Sequence, residues 1–233
     1  MRRAFTGLAL LISAFAACRA APADTYKQSL IRRCPQYKAA AGRFAPVYPA
    51  LARQIVKDYG ITKGVCVDVG GGSGPLAFAL ARTTRLTVYM LDIDPVAVRL
   101  CSLLADEARL TGRVCAIEGD AQQMPFRDGF ADLVVSRGSI FFWPNQLAGV
   151  KEAYRILKPR GVAYIGGGFS RVLDAKTHQR LAQRRRQAAG RMKRGGWKPL
   201  DKDLVERAKA AGITRIRLLR EPDDVGWWLE VRK

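Results

Sequence analysis

The stretch "VCVDVGGGSGP", residues 65–75, constrains this chain more than any other. An apolar run broken by one acid, Asp68, passes directly into four glycines within five positions. Short continuous apolar runs suit parallel strands buried on both faces. Glycines after such a strand permit positive φ and let the backbone approach a ligand with no Cβ between them. In an open α/β sheet the ligand lies beyond the carboxyl ends of the strands, where strand order reverses, and nucleotides are the usual occupants. The first strand–helix turn sits at that point.

The pattern after Val65 alternates as this reading requires. "PLAFALARTT" reads as a helix with proline in its first turn, and "LTVYMLDID" as a second strand. "PVAVRLCSLLADEARLTG" is a helix begun by proline and ended by glycine. Strands over "VCAIEGD" and "ADLVVSRG" follow, then a helix over 145–161 stopped at Lys158–Pro159, then the strand "VAYIGGG". Residues 46–59 form an amphipathic helix ahead of the first strand. A helix over 200–212 precedes two strand-like runs, 213–219 and 225–231, which can pair as an antiparallel hairpin at the sheet edge. The fold class is therefore α/β: a doubly wound, Rossmann-like, mostly parallel sheet with an antiparallel C-terminal hairpin.

The domain reading is a signal-like leader over 1–23, an N-terminal helical cap over 24–63, a nucleotide-binding core over 64–170, and residues 171–233 completing the same domain. The leader rests on Arg2 and Arg3 followed by fourteen small or apolar residues from Ala4 to Ala17. That run is too short to span a bilayer and suits a signal peptide, with "APA" at 21–23 as its cleavage site. Alternatives are lipidation at Cys18 and a twin-arginine signal. The protein is thus expected to be exported or membrane-associated, with a cytoplasmic location as the alternative. Cys66, Cys101 and Cys115 fall in apolar patterns and read as buried small hydrophobes. No C-x-x-C pair exists, so no metal site is expected.

Charge is the other constraint. Forty Lys and Arg against twenty Asp and Glu give a net charge of +20. Losing residues 1–23 removes three arginines and no acid, so the basic character belongs to the folded part. Between Arg171 and Arg194 stand nine basic residues, including Arg180, Arg184, Arg185, Arg186 and Arg191. Such a stretch is either a solvated helix face or a contact for anionic lipid or RNA. It holds no aromatic residue for base stacking before Trp197. The oligomeric state is left open.

The glycine spacing separates two ligands. A dinucleotide fingerprint starting at Gly70 wants its last glycine at position 75, which is Pro75. What stands here is Asp68-x-Gly70-x-Gly72-x-Gly74. This resembles motif I of the class I S-adenosylmethionine-dependent methyltransferases. Three further matches follow in order: "LDID" ending the second strand, "EGDAQQMPF" after the third, and "YRILKPRGVAYI" in place of the usual L-K-P-G-G turn, with Arg160 where glycine is usual. The resemblance covers about residues 46–170.

It implies S-adenosylmethionine as cofactor. Asp68 would help hold the methionine ammonium, and Gly70, Gly72 and Gly74 would line the methionine and ribose. Asp92 would accept the ribose hydroxyls, Asp120 the adenine amino group, and Ala121 would lie beside the ring. Asp94 is read as the cap of the next helix. On the acceptor side, "SRGSIFFW" lacks the segments of the DNA-base methyltransferases. Arg137, Ser139, Phe142 and Trp143, with Tyr48 from the preceding helix, are the pocket candidates. An arginine beside aromatics suits an anionic or soft small molecule. His178 is the one histidine and a candidate base, or a surface residue. The competing reading is an RNA methyltransferase that tracks phosphates along 171–198; a non-catalytic cofactor-binding module is the third.

Overall fold

The computed structural model describes residues 23–192, 198–221 and 226–233. Three helices open it: α1 (Ala23–Arg33), α2 (Pro35–Ala41) and α3 (Val47–Tyr59). The alternating half follows as β1 (Lys63–Val69), α4 (Pro75–Thr83), β2 (Arg85–Asp92), α5 (Pro95–Glu107), β3 (Val114–Glu118) and β4 (Ala131–Arg137). A single 3-10 turn at Ile140–Phe142 leads to α6 (Gln146–Ile156) and β5 (Leu157–Gly167). The last elements are α7 (Ala175–Met192), α8 (Leu204–Ala210), β6 (Ile216–Arg220) and β7 (Trp227–Arg232).

The seven strands lie in the order β3-β2-β1-β4-β5-β7-β6. The first five run parallel, and β7 is antiparallel to both β5 and β6. The expected terminal hairpin is present, with its second strand inside and its first at the edge. Strand order reverses at β1, which sits between β2 and β4. That opens a crevice at their carboxyl ends.

Alternation along β1 explains the two layers. Cys66 points into a core shared with α3, α4 and α5, through residues such as Leu51, Leu80 and Cys101. Val67 and Val69 point into the opposite core, with Val150 and Ala153 of α6 and Leu204 of α8. Both faces are covered, which is why the strands read as continuous apolar runs. Between the layers, buried Gln54 of α3 donates to the Tyr164 hydroxyl at 3.1 Å and accepts from the Ser170 hydroxyl at 2.9 Å. It ties the cap to β5.

Some boundaries differ from expectation. Helix α6 stops at Ile156, and β5 starts at Leu157 and runs through Pro159. The register explains this: Ala131 pairs with Leu157 but Leu133 pairs with Val162, so an irregularity absorbs the turn. Arg160 sits there at φ 68, the conformation for which glycine is usual. Helix α5 ends at Glu107, before Arg109 at φ 54, rather than at Gly112. Helix α8 starts at Leu204 and β6 at Ile216, both later than expected. Cys115 is half-buried, not buried, because β3 is the outer strand of the sheet. The leader lies outside the described residues apart from Ala23. Among the described residues no helix is long and apolar enough to cross a membrane.

Candidate active site

The glycine loop leaves β1 at the point where strand order reverses. Gly70 and Gly71 both donate to the Leu91 carbonyl, at 2.7 and 3.2 Å, which folds the loop over the end of β2. Gly70 has φ 65, and a Cβ there would collide with the Ser139 side chain. The Ser139 hydroxyl is committed in turn: it donates to the Val69 carbonyl at 2.9 Å and lies 2.6 Å from the Ser136 hydroxyl. Ser139 is thus a brace that presses the end of β4 against the loop. Gly74 faces elsewhere. A Cβ on it would meet Cys101 Sγ at 2.5 Å and the Phe78 ring at 3.2 Å, so it serves close packing at the start of α4.

Asp68 lies beneath this loop, 1% exposed. One carboxylate oxygen accepts the Ala77 amide in the first turn of α4; the other, Oδ2, has no partner and is sealed from solvent. Burial pushes its carboxyl up to about 7, against the Ala77 amide and with help from Asp92. A buried carboxylate oxygen without a donor is costly. A cation held above Gly71 would offset it.

A cavity of about 500 Å³ opens over the loop. Of the residues read as cofactor-binding, Gly70, Gly72, Asp92, Asp120 and Ala121 line it, whereas Asp68 and Gly74 lie behind the wall. Asp92 accepts the Gly72 amide at 2.7 Å on one oxygen and the Asp94 amide at 3.0 Å on the other. The Ile93 amide is a third backbone donor to this carboxylate. Burial raises its pKa, opposed by these amides. Asp94 does cap α5, accepting the Val96 amide at 2.9 Å. Asp120 accepts the Gln122 amide at 2.8 Å in a tight turn and also faces the cavity.

The acceptor candidates share this cavity. Tyr48, Arg137, Ser139, Phe142 and Trp143 all line the same cavity. The Arg137 guanidinium lies over the rings of Phe44 and Tyr48, at 4.9 and 5.1 Å. Its Nε donates to the Gly168 carbonyl at 3.0 Å. Tyr48 is 9% exposed, and burial raises the pKa of its phenol despite Arg137. The aromatic run splits. Phe141 is core, and Trp143 is buried because Gly149 leaves room for its ring. Phe142 stands 57% exposed at the rim.

Other residues at the site escape a sequence reading. Ile93 lines the cavity and is 69% exposed, a large apolar side chain beside Asp92. Its one signal is an apolar residue between two acids in "LDID". Gln36 of α2 and Phe44 also face the cavity, with no local signal.

The basic stretch departs from the expected solvated face. It folds as α7, and Leu181 and Ala182 are buried against Phe169 and Val47. Arg184 and Arg186 are exposed, but Arg185 is half-buried. Its Nη1 donates to the Gly167 carbonyl at 2.9 Å, and it packs on Phe169. His178 meets the Phe169 ring edge-on and lines neither this cavity nor the one beside it. The side chain of Arg191, and Lys193, Arg194 and Trp197, lie outside the described residues.

Comparison with known proteins agrees with this geometry. Residues 67–165 match a family model described as a methyltransferase domain. The chain is 39% identical over 103 residues to 2-methyl-6-phytyl-1,4-hydroquinone methyltransferase of Arabidopsis thaliana, covering 43% of this chain and 29% of that protein. It is 29% identical over 111 residues to demethylmenaquinone methyltransferase of Staphylococcus aureus, covering 47% and 46%. The matches thus span less than half the length of these curated relatives. A solved structure from Methanococcus maripaludis, described as a candidate S-adenosyl-L-methionine-dependent methyltransferase, is 30% identical with a TM-score of 0.73. That match covers 89% of this chain and 93% of the other. With the Asp68–Gly74 loop, the reversal of strand order at β1 and a likeness along nearly the whole length, the chain belongs to the class I S-adenosylmethionine-dependent methyltransferases.

Proposed function

We propose that this protein transfers a methyl group from S-adenosylmethionine to a small-molecule acceptor by in-line displacement. The observation that carries this reading is that Asp92, Asp120, Arg137 and Phe142 all line one cavity. S-adenosylmethionine supplies an activated sulfonium methyl when bound. The chain's own residues then have to bind, orient and exclude water. Asp92 faces the cavity with a carboxylate that can accept ribose hydroxyls. Ile93 and Ala121 offer apolar flanks for an adenine ring. Asp68 gives negative charge beneath the loop for an ammonium group. Arg137, held by Gly168 and stacked on Phe44 and Tyr48, fixes the acceptor end. Proximity and orientation of this kind are the main source of rate in a displacement from an activated donor.

The relatives' names support a small acceptor, since they state quinone-type substrates for those proteins. The RNA alternative finds no support. Arg185, central in the basic run, packs inward on Phe169, so the run is not a continuous phosphate track. Calorimetry with S-adenosylmethionine and S-adenosylhomocysteine tests the reading, followed by mass spectrometry of cell extract incubated with methyl-labelled donor. Binding of both ligands and label in a low-mass product are expected. No affinity at millimolar donor would overturn it.

A further inference from the structure

A second cavity, of about 250 Å³, lies against the first. The two share Phe44, Arg137, Gly138 and Phe142 as walls. Its lining holds four arginines, Arg43, Arg137, Arg184 and Arg185, and no Asp or Glu. Two of these are pinned by carbonyls, Arg137 on Gly168 and Arg185 on Gly167. Arg43 stacks on Phe44, and Arg184 has no hydrogen-bond or ion-pair partner among the described residues. Neither meets a carboxylate there. The acid that does act on Arg185 is Glu221, whose oxygens already accept the Phe169 and Ser170 amides and the Trp228 indole. Burial and the neighbouring Arg137 both disfavour the charged form of Arg185.

Cations gathered around a void repel one another, and an anion between them relieves this. The rest of the wall is apolar, chiefly Phe141, Phe169 and Leu181. A bare inorganic anion would leave those surfaces unused. The volume equals that of roughly eight waters, enough for a planar head and a fused ring pair.

We propose that this second cavity is the acceptor site and takes a small aromatic carboxylate, its charged end between Arg43 and Arg184 and its ring against Phe142 and Phe169. Arginine forks match a carboxylate in two-point geometry. The carboxylate is here an anchor that aims the rest of the molecule at the first cavity. This rests on the methyltransferase reading of the first cavity.

The test is calorimetry on the full chain saturated with S-adenosylhomocysteine, so that the cofactor's own carboxylate is already in place. The probes are 2-naphthoate and its neutral analogue 2-naphthamide. The acid should bind at least about tenfold more tightly than the amide. Arg43→Ala and Arg184→Ala should each weaken the acid by about tenfold and leave the amide unchanged. Arg186→Ala, two residues beyond Arg184 on α7 and outside both cavities, should change neither. Equal binding of acid and amide, no binding of the acid, or indifference to both variants would overturn the proposal. S-adenosylhomocysteine affinity is read first. If it is absent, the methyltransferase reading fails; if it is present and the acid is not held, only the acceptor proposal fails.

Discussion

The unpartnered carboxylate beneath the glycine loop should make stability depend on pH in an unusual direction. Asp68 titrates near 7 in the folded chain instead of 3.8, because burial outweighs the single amide from Ala77. At pH 5 the folded protein holds a proton that the unfolded chain has released. Folding therefore takes up a proton between those two values, so stability falls as pH rises through the window and is level above it. At about 1.4 kcal/mol per unit, the whole window is worth at most about 4 kcal/mol. Asp68→Asn removes the charge but buries an amide N–H₂ with no acceptor, which costs about 1–3 kcal/mol. The variant without ligand should thus be more stable than wild type at pH 8 by about 1–3 kcal/mol, and lose most of that advantage at pH 5. Urea unfolding at the two pH values measures this. Ligand binding should show the opposite preference. An ammonium above the loop favours the ionised carboxylate, so binding of S-adenosylhomocysteine releases a proton and tightens as pH rises through 7. Asp68→Asn should flatten that profile and weaken binding by about tenfold. A variant with the wild-type pH dependence in both measurements would refute the account.

Asp92→Ala should weaken S-adenosylmethionine and S-adenosylhomocysteine alike by about 2–3 kcal/mol, since a charged acceptor and the tether on Gly72 go together; calorimetry reads it. Arg160→Gly should raise the urea midpoint, worth about 0.5–1 kcal/mol, because position 160 is left-handed and its side chain is exposed. Glu221→Ala should cost roughly 2–4 kcal/mol by leaving the Phe169 and Ser170 amides and the Trp228 indole without their acceptor. It should also weaken 2-naphthoate more than S-adenosylhomocysteine, because Phe169 walls only the second cavity. For the leader, intact-mass analysis of protein from its native host should find residues 1–23 removed or the chain retained at a membrane. A soluble species still carrying Met1 would count against it.

Local signals account for most of what was legible in the residues. The glycine loop, the Asp94–Pro95 start of α5 and the short apolar strands each depend on neighbours in sequence, and they stand where the pattern puts them. The start of β5 does not. Lys158–Pro159 reads as a stop, but strand pairing with Ala131 extends the strand through it. Gly70, Gly72, Asp92, Asp120 and Ala121 meet at one cavity because they follow the carboxyl ends of successive strands. For the rest of the cavity the sequence pointed to "SRGSIFFW" and to Tyr48 of α3. Arg43 and Phe44 come from the link between α2 and α3, Arg137 from the end of β4, and Arg185 from α7. Their meeting is a product of packing, and no spacing within any one segment encodes it. The basic run shows the same limit. Its charges suggest a solvated face, and the short Leu181–Ala182 pair that turns one side inward is too brief to register as a stripe.

The position of β7 sets an order of assembly. Strands β5 and β6 are both made before the strand that lies between them. While β7 is still being synthesised, the parallel half of the sheet has an open, apolar edge at Val162–Gly167, and β6 has no strand to join. An unpaired edge of this kind is where chains recruit one another. The sheet is sealed only when Trp227–Arg232 slides in, so a change that delays or weakens that insertion should appear first as aggregation during synthesis. The finished protein, once closed, would betray little of it.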